Sequence, residues 1–286
     1  MIDEERPGLR AGPGATHPEA MEPDAPDSDG AELAALGYVP PDPDEPKPVD
    51  LWATVGDVRP WGTLLLLLSW GAMFLLSGAS GAFAELRGLL AWGASATHLP
   101  WRESAWRLLA STSLHAGATH LFFNATSLLI VGPAVERIFT RWRFWLVYVA
   151  GGAAASLASL VSRTSTGGAS LSVGGSGAIF ALGGALLVAT VRLRRHLAPT
   201  RARALAAALL YLLAPGFAAG YAKPGTDNVA HAFGLACGAL LGGLLPLDPR
   251  LGGRPAGVMT RALAAACALA LAAALALAVS GGLASR

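Results

Sequence analysis

Ser176 stands in Gly174-Gly175-Ser176-Gly177, at the head of an apolar stretch from Ala178 to Val191 that is greasy enough to cross a bilayer. Polar side chains at membrane depth are expensive and are functional by default. Two other apolar stretches open with histidines, in His115-Ala-Gly-Ala-Thr-His120-Leu-Phe-Phe-Asn124 and Asp227-Asn228-Val229-Ala230-His231. A serine hydroxyl is a poor nucleophile near neutral pH, so it needs a base such as His231. His231, Gly234, Gly238 and Gly242 recur at helical spacing on one face, and Gly177, Ala181 and Gly184 make a matching stripe beside Ser176 and Phe180. Packing the two stripes together brings imidazole to hydroxyl. His120 and Asn124, at i and i+4, project from one helical face. Both can donate to a developing oxyanion, as can the Ser176 backbone N–H at its helix start. Gly175, directly before the serine, is counted with this supporting group. The one carboxylate near His231 is Asp227, four residues earlier and expected in the loop, so a dyad is expected and not a triad.

These residues need helices to carry them, and composition supplies the class. The chain has 286 residues, 53% hydrophobic and 14% charged, with 35 glycines, and its mean hydropathy is +0.48. That is an integral membrane protein. Apolar windows fall near 61–83, 115–138, 142–162, 174–191, 203–222, 228–246 and 258–282, seven candidate spans. None alternates with period two, and unpaired backbone groups find no water in lipid, so all seven are expected to be helices. The fourth and fifth are short or broken by Pro215 and Gly216, and the seventh is almost pure Ala and Leu, as suits a peripheral packing helix. Residues 1–55 interleave prolines with acids and are expected to form a disordered cytoplasmic tail. Arginines crowd the connections after spans two, four and six, at Arg137, Arg141 and Arg143, at Arg192 to Arg203, and at Arg250 to Arg261. The positive-inside rule then puts the N-terminus in the cytoplasm, and the plasma (inner) membrane is the expected location. In that orientation His115, His120, Asn124, Ser176 and His231 all lie just below the outer surface.

In combination the motifs resemble the rhomboid intramembrane serine proteases. The match runs from Trp92-Gly93-Ala94 through Glu103-Ser104-Ala105-Trp106-Arg107, His115-(x4)-His120-(x3)-Asn124, Gly132-Pro-Ala-Val-Glu136 and Gly174-Gly-Ser176-Gly177 to Asp227-Asn-Val-Ala-His231-(x2)-Gly234-(x3)-Gly238. It covers roughly 60 to 245. The resemblance implies a six-helix domain over 56–250, an extra C-terminal helix in 251–286, and a Ser176–His231 dyad that cleaves the transmembrane segments of other proteins near the outer leaflet. It also implies an oxyanion site from His120, Asn124 and the Ser176 amide, with Phe180 packed on the base. Trp106 and Arg107 resemble the family's signature in the first external loop. Three positions depart from the family pattern: Gly175 replaces a bulkier residue or alanine, Ala181 a glycine, and Thr140 a glycine after the Glu136 turn. The methyl of Ala181 is expected to fall in the contact between spans four and six.

Each residue also has a plainer role to weigh. His115 is read first as a loop histidine with a structural hydrogen bond, and second as support for the chemistry. Three histidines without an acidic or cysteine partner argue against a metal, and no cofactor is expected. Glu136 is expected to pair with Arg137, Arg141 or Arg143. Cys237 and Cys267 read as apolar filler inside spans. The basic connections suit anionic lipid and not nucleic acid. The competing function is a non-catalytic relative that binds or chaperones transmembrane segments. A transporter is expected to carry inverted repeats with broken helices, and none is visible.

Overall fold

The structure, a computed structural model, describes residues 35–36, 58–83, 86–167, 170–194, 199–222 and 226–285. The chain divides into two units, Met1–Glu45 and Pro46–Arg286, and every element below belongs to the second. The acidic tail expected over 1–55 lies outside the described residues, Ala35 and Leu36 excepted.

The fold is all-α. Helix α1 (Trp61–Ala79) leads into an outer loop holding α2 (Leu86–Ala91), the short strand β1 (Ser95–Ala96) and α3 (Trp101–Ala110). Then follow α4 (Ala118–Ser165), strand β2 (Leu171–Ser172), α5 (Ser176–Arg192), α6 (Pro199–Ala222), α7 (Asn228–Leu244) and α8 (Val258–Ala284). All seven apolar windows of the sequence are helical, with windows two and three merged in α4. By length and composition α1, α4 and α8 can cross a membrane, while α5, α7 and the apolar part of α6 (Arg203–Ala218) are shorter.

Helix α4 has 48 residues, about 72 Å at 1.5 Å per residue, more than twice a hydrocarbon core of about 30 Å. It therefore breaks into two arms at Thr140, where φ is 74° and ψ 157°. Glycine tolerates that backbone and threonine does not. Thr140, one of the three departures from the pattern that the sequence resembles, is the residue that makes the bend.

Gly132 lets the first arm of α4 approach α1, since a side chain there would run into Thr63. One turn on, the Glu136 carboxylate accepts from Gly62 N (3.0 Å), Thr63 N (2.8 Å) and Thr63 Oγ1 (2.8 Å). It caps the first turn of α1, whose N–H groups have no partner in their own helix. The expected ion pair of Glu136 with a neighbouring arginine is thus corrected. Arg143 instead turns inward and donates to the carbonyls of Leu247 (3.1 Å) and Arg254 (2.6 Å).

The core runs along α4 and α5, with Trp70, Leu128, Phe139, Phe144, Tyr148 and Leu182 almost wholly buried. Helices α5 and α7 meet backbone to backbone. A Cβ on Gly234 would strike the Gly177 carbonyl, one on Gly238 the Ala181 carbonyl, and one on Gly242 would lie 2.7 Å from Ala185 Cα. The stripes of small residues read from the sequence are this contact. Ala181 corrects one detail: its methyl points at Gly151 of α4, and it is its backbone, carbonyl and Cα, that faces α7. Helix α8 leans on the outer loop, with Ala278 Cβ 3.2 Å from where a Gly93 side chain would begin and Gly282 against the Trp92 indole.

Candidate active site

Ser176 begins α5, and the loop before it is held on three sides. Upstream, β2 pairs with β1 antiparallel, Ser172 opposite Ser95 and Leu171 opposite Ala96. Gly174 N then donates to Ser111 O at 2.9 Å. Gly174 has φ +126°, and a Cβ on it would fall 2.7 Å from His120 Cε1 and 3.5 Å from Asn124 Nδ2. A Cβ on Gly175 would strike Trp70 and lie 3.1 Å from Thr112 O. The two glycines are therefore required: the first by backbone conformation, the second by the indole behind it. Sequence reasoning attached Gly175 to the site without seeing Trp70.

The His231 ring reaches the serine from α7. Its Nε2 lies 2.9 Å from Ser176 Oγ, hydrogen-bond distance. His231 is 3% exposed, and its ring stacks on Phe180 with centroids 4.3 Å apart and planes 12° apart. Phe217 of α6 meets the same imidazole edge-on at 5.9 Å. Gly216 beside it leaves room for Phe180, whose Cζ would be 2.8 Å from a Cβ there. Its backbone also faces the His231 ring, and Nδ1 has no close hydrogen-bond partner among the described residues. Among the described residues no carboxylate is hydrogen-bonded to the ring. Asp227 is the N-cap of α7, its Oδ1 accepting from Ala230 N at 3.0 Å. Its other oxygen accepts from Ser159 and Ser172.

His120 and Asn124 share the face of α4 that looks at Gly174, and Asn124 is 7% exposed with Nδ2 unpartnered. No side chain caps α5, so the first amides of that helix stay open to an anion. His115 precedes α4 and is buried at 1% exposure between Trp70 (5.0 Å) and His120 (5.2 Å). The Ser113 backbone lies alongside it, and its ring nitrogens have no other close partner among the described residues. His115 is thus held by ring packing with the Ser113 backbone beside it.

Trp106 and Arg107 stand back from the serine and shape the outer loop. Arg107 donates to Leu90 O (2.5 Å) and Ala94 O (3.3 Å) and lies 4.5 Å from the Trp106 ring centroid. Gly93, at φ +93°, makes room for that indole. Gly234 and Gly238 set the spacing of α5 and α7, and Glu136 anchors α1. Ser159, Arg163 and Ser172 escaped the sequence reading. Their signal was thin: a serine and an arginine at i and i+4 near the end of span three.

Comparison with known proteins places this geometry. The rhomboid domain family model matches residues 102–247, about half of the chain. The chain is 34% identical to rhomboid protease GluP of Bacillus subtilis (strain 168) over 194 residues, 68% of this chain and 36% of the relative. It is 35% identical to RHOMBOID-like protein 2 of Arabidopsis thaliana over 177 residues, 62% of this chain and 52% of the relative. RHOMBOID-like protein 4 of the same plant is 34% identical over 150 residues, 52% of this chain and 36% of the relative. The chain thus spans about half or less of these relatives. The matched stretch holds both Ser176 and His231, its apolar helices are those of an integral membrane protein, and the chain belongs to the rhomboid family.

Proposed function

We propose that this protein is an intramembrane serine endopeptidase that cuts transmembrane segments of other membrane proteins near the outer leaflet. The observation that carries the proposal is the 2.9 Å contact between Ser176 Oγ and His231 Nε2, made inside a bundle of apolar helices. Ser176 Oγ attacks the scissile carbonyl as its proton passes to His231 Nε2. Charge then gathers on the carbonyl oxygen, which the Ser176 N–H, His120 and Asn124 stabilise from the α5 start and the facing side of α4. His231 returns the proton to the leaving amine. Water, entering from the outer side, hydrolyses the acyl-serine with His231 again taking a proton.

Supporting roles follow from contacts. Phe180 and Phe217 fix the plane of the imidazole, His115 packs behind His120, and Gly175 allows the loop to lie on Trp70. The proposal includes a six-helix catalytic domain over 56–250 with α8 added, a plasma (inner) membrane site and a cytoplasmic N-terminus. Arginines on alternate connections support that orientation. Substrates are transmembrane proteins, with lipid as the surrounding partner, and no nucleic acid, metal or cofactor takes part.

The test is labelling of detergent-solubilised protein with a fluorophosphonate, alongside cleavage of a reconstituted single-span substrate. Wild type is expected to label and cleave, and Ser176→Ala and His231→Ala to do neither. A wild type that does neither is instead a protein that only binds or chaperones transmembrane segments.

A further inference from the structure

Asp227 takes no part in the mechanism above, yet it is the hub of a polar network that joins the base helix to the nucleophile loop. Oδ1 accepts from Ala230 N, the residue before His231, and the Asp227 carbonyl accepts from His231 N at 3.1 Å. The other carboxylate oxygen accepts from Ser172 Oγ at 3.2 Å and from Ser159 Oγ. Ser172 lies in β2, four residues before Ser176. Ser159, on the second arm of α4, accepts from Arg163 Nε at 3.0 Å. Arg163 reaches on to Ser170 Oγ (3.2 Å) and Ser95 Oγ (3.4 Å), so the guanidinium links β1 to the residue just before β2. One carboxylate therefore touches the first turn of α7, the strand entering the nucleophile loop and the α4 scaffold.

We infer that Asp227 is a positioning residue for the Ser176–His231 pair, holding the nucleophile strand and the base helix at the separation that proton transfer requires. The inference rests on the proteolytic reading of the site. Two features argue for more than helix capping. A cap uses one carboxylate oxygen, and here the second is saturated by two hydroxyls from two other elements. The pair it serves also has no carboxylate on the imidazole, so the ring is oriented by its helix and by Phe180. A displacement of α7 against β2 passes directly into the distance between oxygen and nitrogen, and misplacement of about 1 Å slows reactions by about 10²-fold.

Full-length protein in detergent tests this through the fluorophosphonate reaction, split into a saturating acylation rate and a half-saturating probe concentration, with Tm measured on the same samples. Asp227→Asn keeps an oxygen for the Ala230 cap but offers an amide to the serines. It is expected to hold Tm within a few degrees, leave the half-saturating concentration within about two-fold, and slow acylation about 10- to 100-fold. Ser172→Ala is expected to slow acylation less, in the same parameter, and serves alone if Asp227→Asn does not fold. Wild-type acylation rates in Asp227→Asn, or in Ser172→Ala when that variant stands alone, overturn the inference and leave proteolysis standing. So does a change confined to probe affinity. Absence of Ser176-dependent labelling in the wild type removes both.

Discussion

Replacing Thr140 by glycine is expected to stabilise the protein, which few substitutions do. At φ 74° and ψ 157° the residue occupies a region that side chains tolerate poorly, at about 1–3 kcal/mol. Its Oγ1 is buried without a hydrogen-bond partner among the described residues, a further destabilisation of about 1–3 kcal/mol where solvent cannot reach. Against this, glycine frees the unfolded chain, at a cost of about 0.4–1 kcal/mol. The balance favours Thr140→Gly by about 1–5 kcal/mol, or a Tm rise of roughly 2–20 °C at about 2–4 °C per kcal/mol for a domain of this size. Thermal unfolding in detergent reads it directly. Thr140→Ala is the informative control, since it removes the hydroxyl and keeps the Cβ. If backbone strain dominates, alanine recovers less than half of the gain. A glycine variant that melts at or below wild type refutes the reasoning, and an alanine variant equal to glycine moves the cause to the hydroxyl.

Three further outcomes are expected. Gly238→Ala puts a methyl against the Ala181 carbonyl and is expected to destabilise by about 1–3 kcal/mol or more, whereas Gly243→Ala, with nothing within 4 Å, is expected to be neutral or stabilising; thermal melts of the pair check it. Glu136→Ala strands the Gly62 and Thr63 donors, at about 1–3 kcal/mol per buried group, and Glu136→Gln falls between it and wild type in chemical denaturation. Burial alone raises the Asp248 carboxyl, but hydrogen bonds from the Arg250 side chain and N–H, with the charges of Arg250 and Arg143, hold it below the ordinary carboxylate range. Its contribution is therefore complete above about pH 4, the unfolded value, and fades as pH falls through the folded one. Asp248→Asn should flatten that acid limb of stability against pH.

Much of the site was legible because it depends on periodicity. Gly234, Gly238 and Gly242 state at a glance which face of α7 meets α5, and that register alone decides where His231 arrives. His120 and Asn124 were legible for the same reason. Contacts between elements far apart in the chain were not. Glu136 lies 73 residues from Thr63, and nothing near it distinguishes a helix cap from an ion pair. Ser159, Ser172 and Asp227 converge only after α4, β2 and α7 have packed. Ala181 misled because a methyl's direction depends on helix rotation that small residues leave loosely specified.

The lean of α8 on Trp92 and Gly93 bears on biogenesis. Trp92 and Gly93 leave the ribosome well before Ala278 and Gly282, which close over them. Until then the segment just before β1 lacks that packing, and β1 pairs with the strand leading to Ser176. A nascent chain that has passed His231 but not yet reached Ala278 thus carries the alcohol and the imidazole before this packing is in place.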